Sequence, residues 1–199
     1  MNQAPIAELL QCYAELLRQS PHNLLSPRGL EELEARHFPE SLDFSARLPA
    51  GPRLLDLGSG GGLPGVVIAA ARPDLEVHLL DATRKKTDFL IAASAELGLP
   101  ITVHHGRAED LAVGQLAGSF DLVTARAVAP LERLAPWAAP FLQPGGQLHA
   151  IKGERWSEEI TTAEPALRRL GLAVHSTPAD RAPERPHDGP LVVVLERTR

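Results

Sequence analysis

Two periods of hydrophobic spacing divide this chain. Over 3–19, Ile6, Leu9, Leu10, Tyr13, Leu16 and Leu17 recur at intervals of three and four, the stripe of an amphipathic helix. Pro21 lies just past its end. Ser26 followed by Pro27 reads as an N-cap and a first helical residue. Leu30 and Leu33 continue a second helix, which Pro39 is expected to stop. Residues 1–50 are therefore expected to be a helical extension packed on the main domain, with no independent core.

The pattern changes at Gly51-Pro52. Short apolar runs at 54–57, 77–80, 101–104, 121–124 and 147–151 predict strands. Longer amphipathic stretches at 66–72, 85–97 and 131–142 predict helices between them. This alternation predicts a parallel sheet with right-handed crossovers. After Gly153 the rhythm shifts to a helix near 157–170, a strand near 172–176, a proline-rich stretch over 178–190 expected to be a mobile loop, and a strand over 191–196. Two strands joined without a helix are expected to be antiparallel neighbours. The reading is α/β: a mostly parallel seven-stranded sheet, helices on both faces, and a helical lead-in.

Composition narrows the picture. The 199 residues are 44% hydrophobic and 23% charged, enough for one sizeable core, while aromatics are only 4%. Such a core rests on Leu, Val, Ala and Ile, which suits a sheet covered by helices. A single cysteine, Cys12, excludes an internal disulfide and a cysteine zinc site. No apolar run reaches the roughly 18 residues needed to span a membrane, and the acidic start is not a signal peptide. A cytoplasmic monomer is expected. The formal net charge of −5 argues against a general nucleic-acid binder. It does not exclude a local basic face, and 51–153 hold nine basic and ten acidic residues.

The candidate chemistry begins at Leu54-Leu55-Asp56-Leu57-Gly58-Ser59-Gly60-Gly61-Gly62-Leu63-Pro64-Gly65. A strand enters a glycine-rich turn, and a helix follows. Such a turn lets backbone approach a ligand closely, or it is merely a flexible connection. Three acids raise the first reading. Asp81 ends the next strand, where it can accept ribose hydroxyls or cap a helix. Ala108-Glu109-Asp110 follows the third strand, where an adenine ring would lie. Asp56 is read as part of the turn, needing donors from turn amides or a ligand ammonium. Nicotinamide dinucleotides and S-adenosylmethionine both use this layout. The Asp-x-Gly-x-Gly order, the acid after the third strand and the terminal hairpin favour S-adenosylmethionine.

These motifs, with others, resemble the RsmG (GidB) methyltransferase family over nearly the whole chain. The matching segments are Asn23-Leu24-Leu25-Ser26, Arg36-His37-Phe38-Pro39-Glu40-Ser41-Leu42, the glycine loop with its Leu63-Pro64-Gly65 ending, Leu80-Asp81-Ala82 with Arg84-Lys85-Lys86-Thr87-Asp88-Phe89-Leu90, Gly106-Arg107-Ala108-Glu109, Thr124-Ala125-Arg126-Ala127-Val128-Ala129 and Ala150-Ile151-Lys152-Gly153. Glu40 stands where the family usually has Asp, and Leu25 where it usually has Thr.

The resemblance implies a Rossmann-like class I methyltransferase domain over 51–199. It implies methyl transfer from S-adenosyl-L-methionine to N7 of a guanine in 16S ribosomal RNA, leaving S-adenosyl-L-homocysteine. The implied cofactor residues are Asp56, Gly58, Ser59, Gly60, Leu63, Asp81, Ala82, Ala108, Glu109 and Arg126. Arg126 also lies by the reactive end as a positioning residue, unless it serves as an ion-pair partner for Asp56 or Asp121. Arg84, Lys85, Lys86, Arg107 and Lys152 are candidate RNA contacts, with a plain strand-end charge the other reading of Lys152. His37 is open to capping, core packing or substrate contact. His104 and His105 point to opposite faces of a strand, which disfavours a metal site. The alternatives are a small-molecule methyltransferase and a nucleotide-binding module without turnover.

Overall fold

The computed structural model describes residues 5–50, 53–180 and 189–198. The boundary read at Gly51-Pro52 and most of the loop read over 178–190 lie outside the described residues. The lead-in comprises α1 (Ile6–Gln19), α2 (Pro27–Glu31), a π-helical turn (Leu33–His37) and α3 (Phe38–Ala46). The sheet and its helices follow as β1 (Arg53–Leu57), α4 (Gly65–Ala71), β2 (Glu76–Asp81), α5 (Arg84–Glu96), β3 (Thr102–His105), α6 (Ala108–Leu111), β4 (Phe120–Arg126), α7 (Leu131–Ala138), β5 (Leu142–Lys152), α8 (Trp156–Leu170), β6 (Leu172–Ser176) and β7 (Leu191–Arg197). The strand order is β3-β2-β1-β4-β5-β7-β6. The first five strands pair in parallel, and β7 runs antiparallel between β5 and β6. The expected terminal hairpin is present.

Period-two alternation in β1 sorts its side chains between two cores. Leu54 joins α1, α3, α4 and α5 on one face. Leu55 and Leu57 join α7 and α8 on the other. The lead-in shares the first core through Leu9, Leu10, Tyr13, Leu17, Leu33 and Phe44. Among the described residues, no helix is long and apolar enough to cross a membrane.

Three local expectations need correction. Pro39 does not stop the lead-in; it sits in the first turn of α3. A proline there loses no intrahelical bond. The turn before it relaxes to π geometry, with the amides of His37 and Phe38 bonding five residues back. The helix expected over 131–142 ends at Ala138, passes through a 3-10 turn at Ala139–Phe141 and gives way to β5. Asp56 lies inside β1 rather than in the turn.

Candidate functional site

The strand order reverses between β1 and β4, so the helices following these strands leave on opposite faces. A crevice opens at their carboxyl ends. The glycine-rich turn after β1 forms one wall. Its amides are already engaged: Gly58 and Ser59 donate to Leu80 O at 2.8 and 3.0 Å, Gly62 to Ser59 O at 2.7 Å, and Gly60 to Asp81 Oδ2 at 2.9 Å. A pyrophosphate cradle needs such donors free; this turn instead presents backbone and apolar surface. Ser59 is itself buried, with Oγ donating to Asp56 O and accepting from Leu80 N. Any contribution it makes to a ligand comes from the main chain.

Close packing demands glycine at two points of the turn. A Cβ on Gly58, whose φ is +73°, would meet Val128 Cγ2 at 2.8 Å. A Cβ on Gly62, whose φ is +91°, would meet Val66 and Leu90 at 2.7 and 2.8 Å as well as the Tyr13 hydroxyl. That hydroxyl donates to Gly61 O, so α1 is fastened to the back of the loop.

Asp81 ends β2 and is 6% exposed. Its Oδ1 accepts from Thr83 N at 2.8 Å and its Oδ2 from Gly60 N, with Lys86 Nζ 3.8 Å away. Asp81 does not cap α5, whose N-cap is Thr83 with no side-chain bond; its bonds tie the turn after β2 to the glycine loop. They also fix the carboxylate at the crevice, where each oxygen keeps a second lone pair. Next to it is an open-sided cavity of about 110 Å³ lined by Leu57, Gly58, Leu80, Ala82, Ala108 and Glu109, with Val128 and Trp137 also on its wall. Gly58, Ala82, Ala108 and Glu109 were expected from sequence. Trp137 was not, because it reaches the cavity from α7 with no motif to mark it; Val128 lies within the Thr124–Ala129 motif, which gives it no role of its own.

Asp56 is fully buried. Its Oδ1 accepts from Thr124 Oγ1 at 3.0 Å, while Oδ2 lies against Gly65 without a well-formed hydrogen bond. Burial raises its pKa to about 6, against the opposing hydrogen bond of Thr124, the nearby polar groups of Ser59 and Gly65, and the charge of Arg126. The reason is alternation: Asp56 shares the Leu54 face, beneath the start of α4, and no turn amide other than Gly65 reaches it.

Arg126 ends β4 with its side chain 17% exposed, and Ala127 beyond it takes a left-handed φ of +55°, a strained state for alanine. The guanidinium nitrogen Nη1 stands 3.9 Å from Glu40 Oε2. Asp121 is engaged elsewhere, by Arg53 N and Gln143. Burial lowers the Arg126 pKa, with Glu40 and Asp56 acting in the opposite direction. Sequence reading marks Glu40 only as a departure from the family's usual Asp and gives it no role at the site, since the lead-in's approach to β4 is purely tertiary.

Arg84 and Lys85 are exposed at the start of α5 and Lys86 partly so, beside Asp81. Arg107 is exposed before α6. Lys152 differs. Its side chain is 7% exposed, and Nζ donates to Ala129 O at 2.8 Å and pairs with Glu159 at 2.7 Å. Such an ammonium braces the loop after β4 and has little access to a phosphate.

The residues present fit an adenosyl amino acid: an open-sided cavity, a carboxylate beside it, a glycine where a Cβ would close the approach, and a buried carboxylate with an incompletely satisfied oxygen. Comparison with known proteins agrees. Solved structures with the same fold include a Methanococcus maripaludis protein described as an S-adenosyl-L-methionine-dependent methyltransferase, at TM-score 0.64 and 13% identity over 100% of this chain and 97% of that one. The ribosomal protein L11 methylase of Lactobacillus delbrueckii subsp. bulgaricus aligns at TM-score 0.57 and 15% identity over 80% and 77%. The fold is thus the Rossmann-like class I methyltransferase fold. Ribosomal RNA small subunit methyltransferase G of Mycolicibacterium gilvum (strain PYR-GCK) is 41% identical, over 92% of this chain and 81% of its own length. The protein of the same name from Sorangium cellulosum (strain So ce56) is 44% identical over 90% and 77%. Residues 6–187 match the family described as rRNA small subunit methyltransferase G, and the chain belongs to that family.

Proposed function

We propose that this protein methylates N7 of a guanine in 16S ribosomal RNA, with S-adenosylmethionine as donor, in the cytoplasm where small subunits are assembled. The observation that carries the reading is the crevice at the β1/β4 switch point, with the Asp81 carboxylate at the end of β2 and the half-buried Arg126 at the end of β4. The bound sulfonium supplies an activated methyl. Guanine N7 has an in-plane lone pair and no proton to lose, so the protein's part is orientation and exclusion of water. Asp81 holds ribose hydroxyls, Ala82, Ala108 and Glu109 border the adenine, and Leu63 and the Gly58–Gly60 backbone line the approach. Asp56 fixes the polarity beneath the turn, and Arg126 orients the base. Arg84, Lys85, Lys86 and Arg107 meet phosphates. The target base must be splayed from a helix, because N7 lies in the deep groove of duplex RNA.

The test is methyl transfer from labelled S-adenosylmethionine to unmodified small subunits, free 16S RNA and a metabolite extract. Label recovered as 7-methylguanine in the RNA is the expected result. Label only in a metabolite supports a small-molecule enzyme. Binding of S-adenosylmethionine without transfer to any of the three supports a binding module.

A further inference from the structure

Three polar groups face one another at the mouth of the crevice without satisfying one another. Glu40 Oε2 lies 3.9 Å from Arg126 Nη1 and 3.8 Å from His37 Nδ1. Neither is hydrogen-bond distance. The other oxygen of Glu40 accepts from Arg36 Nε at 2.8 Å. His37 Nδ1 is buried with no partner, and the Arg126 guanidinium has only the long Glu40 contact among the described residues. All three side chains are between 13% and 22% exposed. Enclosed polar groups left unpaired are costly, and they persist where a ligand completes them. The π turn before Pro39 sets this up, since His37 closes it, Glu40 lies one helical turn further on, and both are directed toward Arg126.

We propose that Glu40 and Arg126 together read the Watson–Crick edge of the target guanine, the carboxylate accepting from N1–H and the exocyclic amine while the guanidinium donates to O6. This rests on the function proposed above. The pair presents to guanine the donor-then-acceptor pattern that cytosine presents. Adenine would set its amine against the guanidinium and its bare N1 against the carboxylate, two mismatches that reject it. Recognition on this edge leaves N7 free on the far side of O6. Val128, two residues beyond Arg126, packs on Gly58 and lines the adenosyl cavity, so the base and the cofactor cavity adjoin. Burial and the Arg126 charge lower the pKa of His37, which leaves the Glu40 charge unopposed from that side.

The experiment uses small subunits reconstituted from ligated 16S RNA carrying either guanine or hypoxanthine at the target position. Hypoxanthine keeps N7, O6 and N1–H and lacks only the amine. Wild-type protein is expected to show kcat/KM lower by about 10-fold or more on hypoxanthine, the scale of one hydrogen bond to a charged group. Glu40→Gln is expected to lose about 10-fold or more on guanine and to stop distinguishing the two bases. Glu40→Asp should keep the distinction, and calorimetric affinity for S-adenosylmethionine should stay unchanged in both variants. Equal rates of the wild type on the two bases, or an unaltered guanine preference in Glu40→Gln, overturn the proposal. The first comparison needs no variant, so misfolding cannot obscure it. A wild type that methylates neither particle overturns the proposed function instead.

Discussion

At the scale of single residues, the site depends on a few carboxylates and one guanidinium whose surroundings differ sharply. Asp81 is held by two backbone amides and keeps lone pairs for a ligand. Asp81→Ala is expected to weaken S-adenosylmethionine by about 1–3 kcal/mol, the scale of lost hydrogen bonds to a charged group. Calorimetry checks this, and an unchanged affinity would remove the ribose assignment. Among the described residues, Arg126 has no hydrogen bond to lose, only a long contact with Glu40. Arg126→Ala is therefore expected to leave the unfolding temperature within a few degrees of wild type while greatly reducing methyl transfer. Turnover preserved alongside a large loss of stability would make it a structural ion-pair residue.

At the scale of elements, the lead-in and the loop after β4 are the parts that shape the crevice. Tyr13 on α1 and Gly62 in the turn occupy one another's margins. Gly62→Ala combines a positive φ with overlap against Val66 and Leu90, so a loss of several kcal/mol is expected, read from urea unfolding. Lys152 and Glu159 join β5 and α8 to the loop after β4, because Glu159 Oε2 also accepts from Leu131 N at 2.8 Å. Lys152→Ala strands a partly buried carboxylate. A destabilisation of roughly 3 kcal/mol is expected, with no change in the salt dependence of RNA binding. A reduced salt slope at normal stability would return Lys152 to the RNA-contact set.

At the scale of the whole molecule, charge acts through pH and through salt. Burial holds His149 at about 4, below its ordinary 6.5. Between these values the unfolded chain binds the extra proton, so this contribution to stability is complete above pH 6.5 and is lost as pH falls toward 4. Asp56, raised from 3.8 to about 6, works oppositely. The folded protein keeps a proton that the unfolded chain has released, so stability declines as pH rises from 3.8 to 6. Together the two nearly offset. His149→Gln is expected to make the protein less acid-sensitive than wild type between pH 6.5 and 4, and Asp56→Asn more so, by a few kcal/mol each. Urea midpoints across that range check both signs. The net charge of −5 leaves RNA attraction to local patches. Reversing Arg84 and Lys85 to Glu, which leaves Lys86 beside Asp81, is expected to impair methylation of small subunits, increasingly at low salt where wild-type binding is strongest, and to spare S-adenosylmethionine binding. Equal activity of the two proteins across a salt series would take the patch out of the RNA footprint.

Sequence alone determined the features that are local or periodic. The β–α alternation, the glycine turn, the position of Asp81 at a strand end and the final hairpin all follow from spacing within a few residues, where backbone sterics and hydrophobic period dominate. Motif residues then carried the family resemblance. Tertiary structure decided what depends on long-range approach. Whether Pro39 ends a helix or begins one was settled by a π turn that no propensity marks. The fate of Asp56 was settled by which face of β1 lies under α4. Lys152 looked like a free cation until α8 brought Glu159 to it. Glu40 and Val128 stand in segments that carry the family resemblance, yet the meeting of Glu40 with Arg126 and of Val128 and Trp137 with the glycine turn joins elements far apart in the chain. Packing free energy is summed over contacts distant in sequence, so side chains at the crevice take their roles from partners that local pattern does not encode.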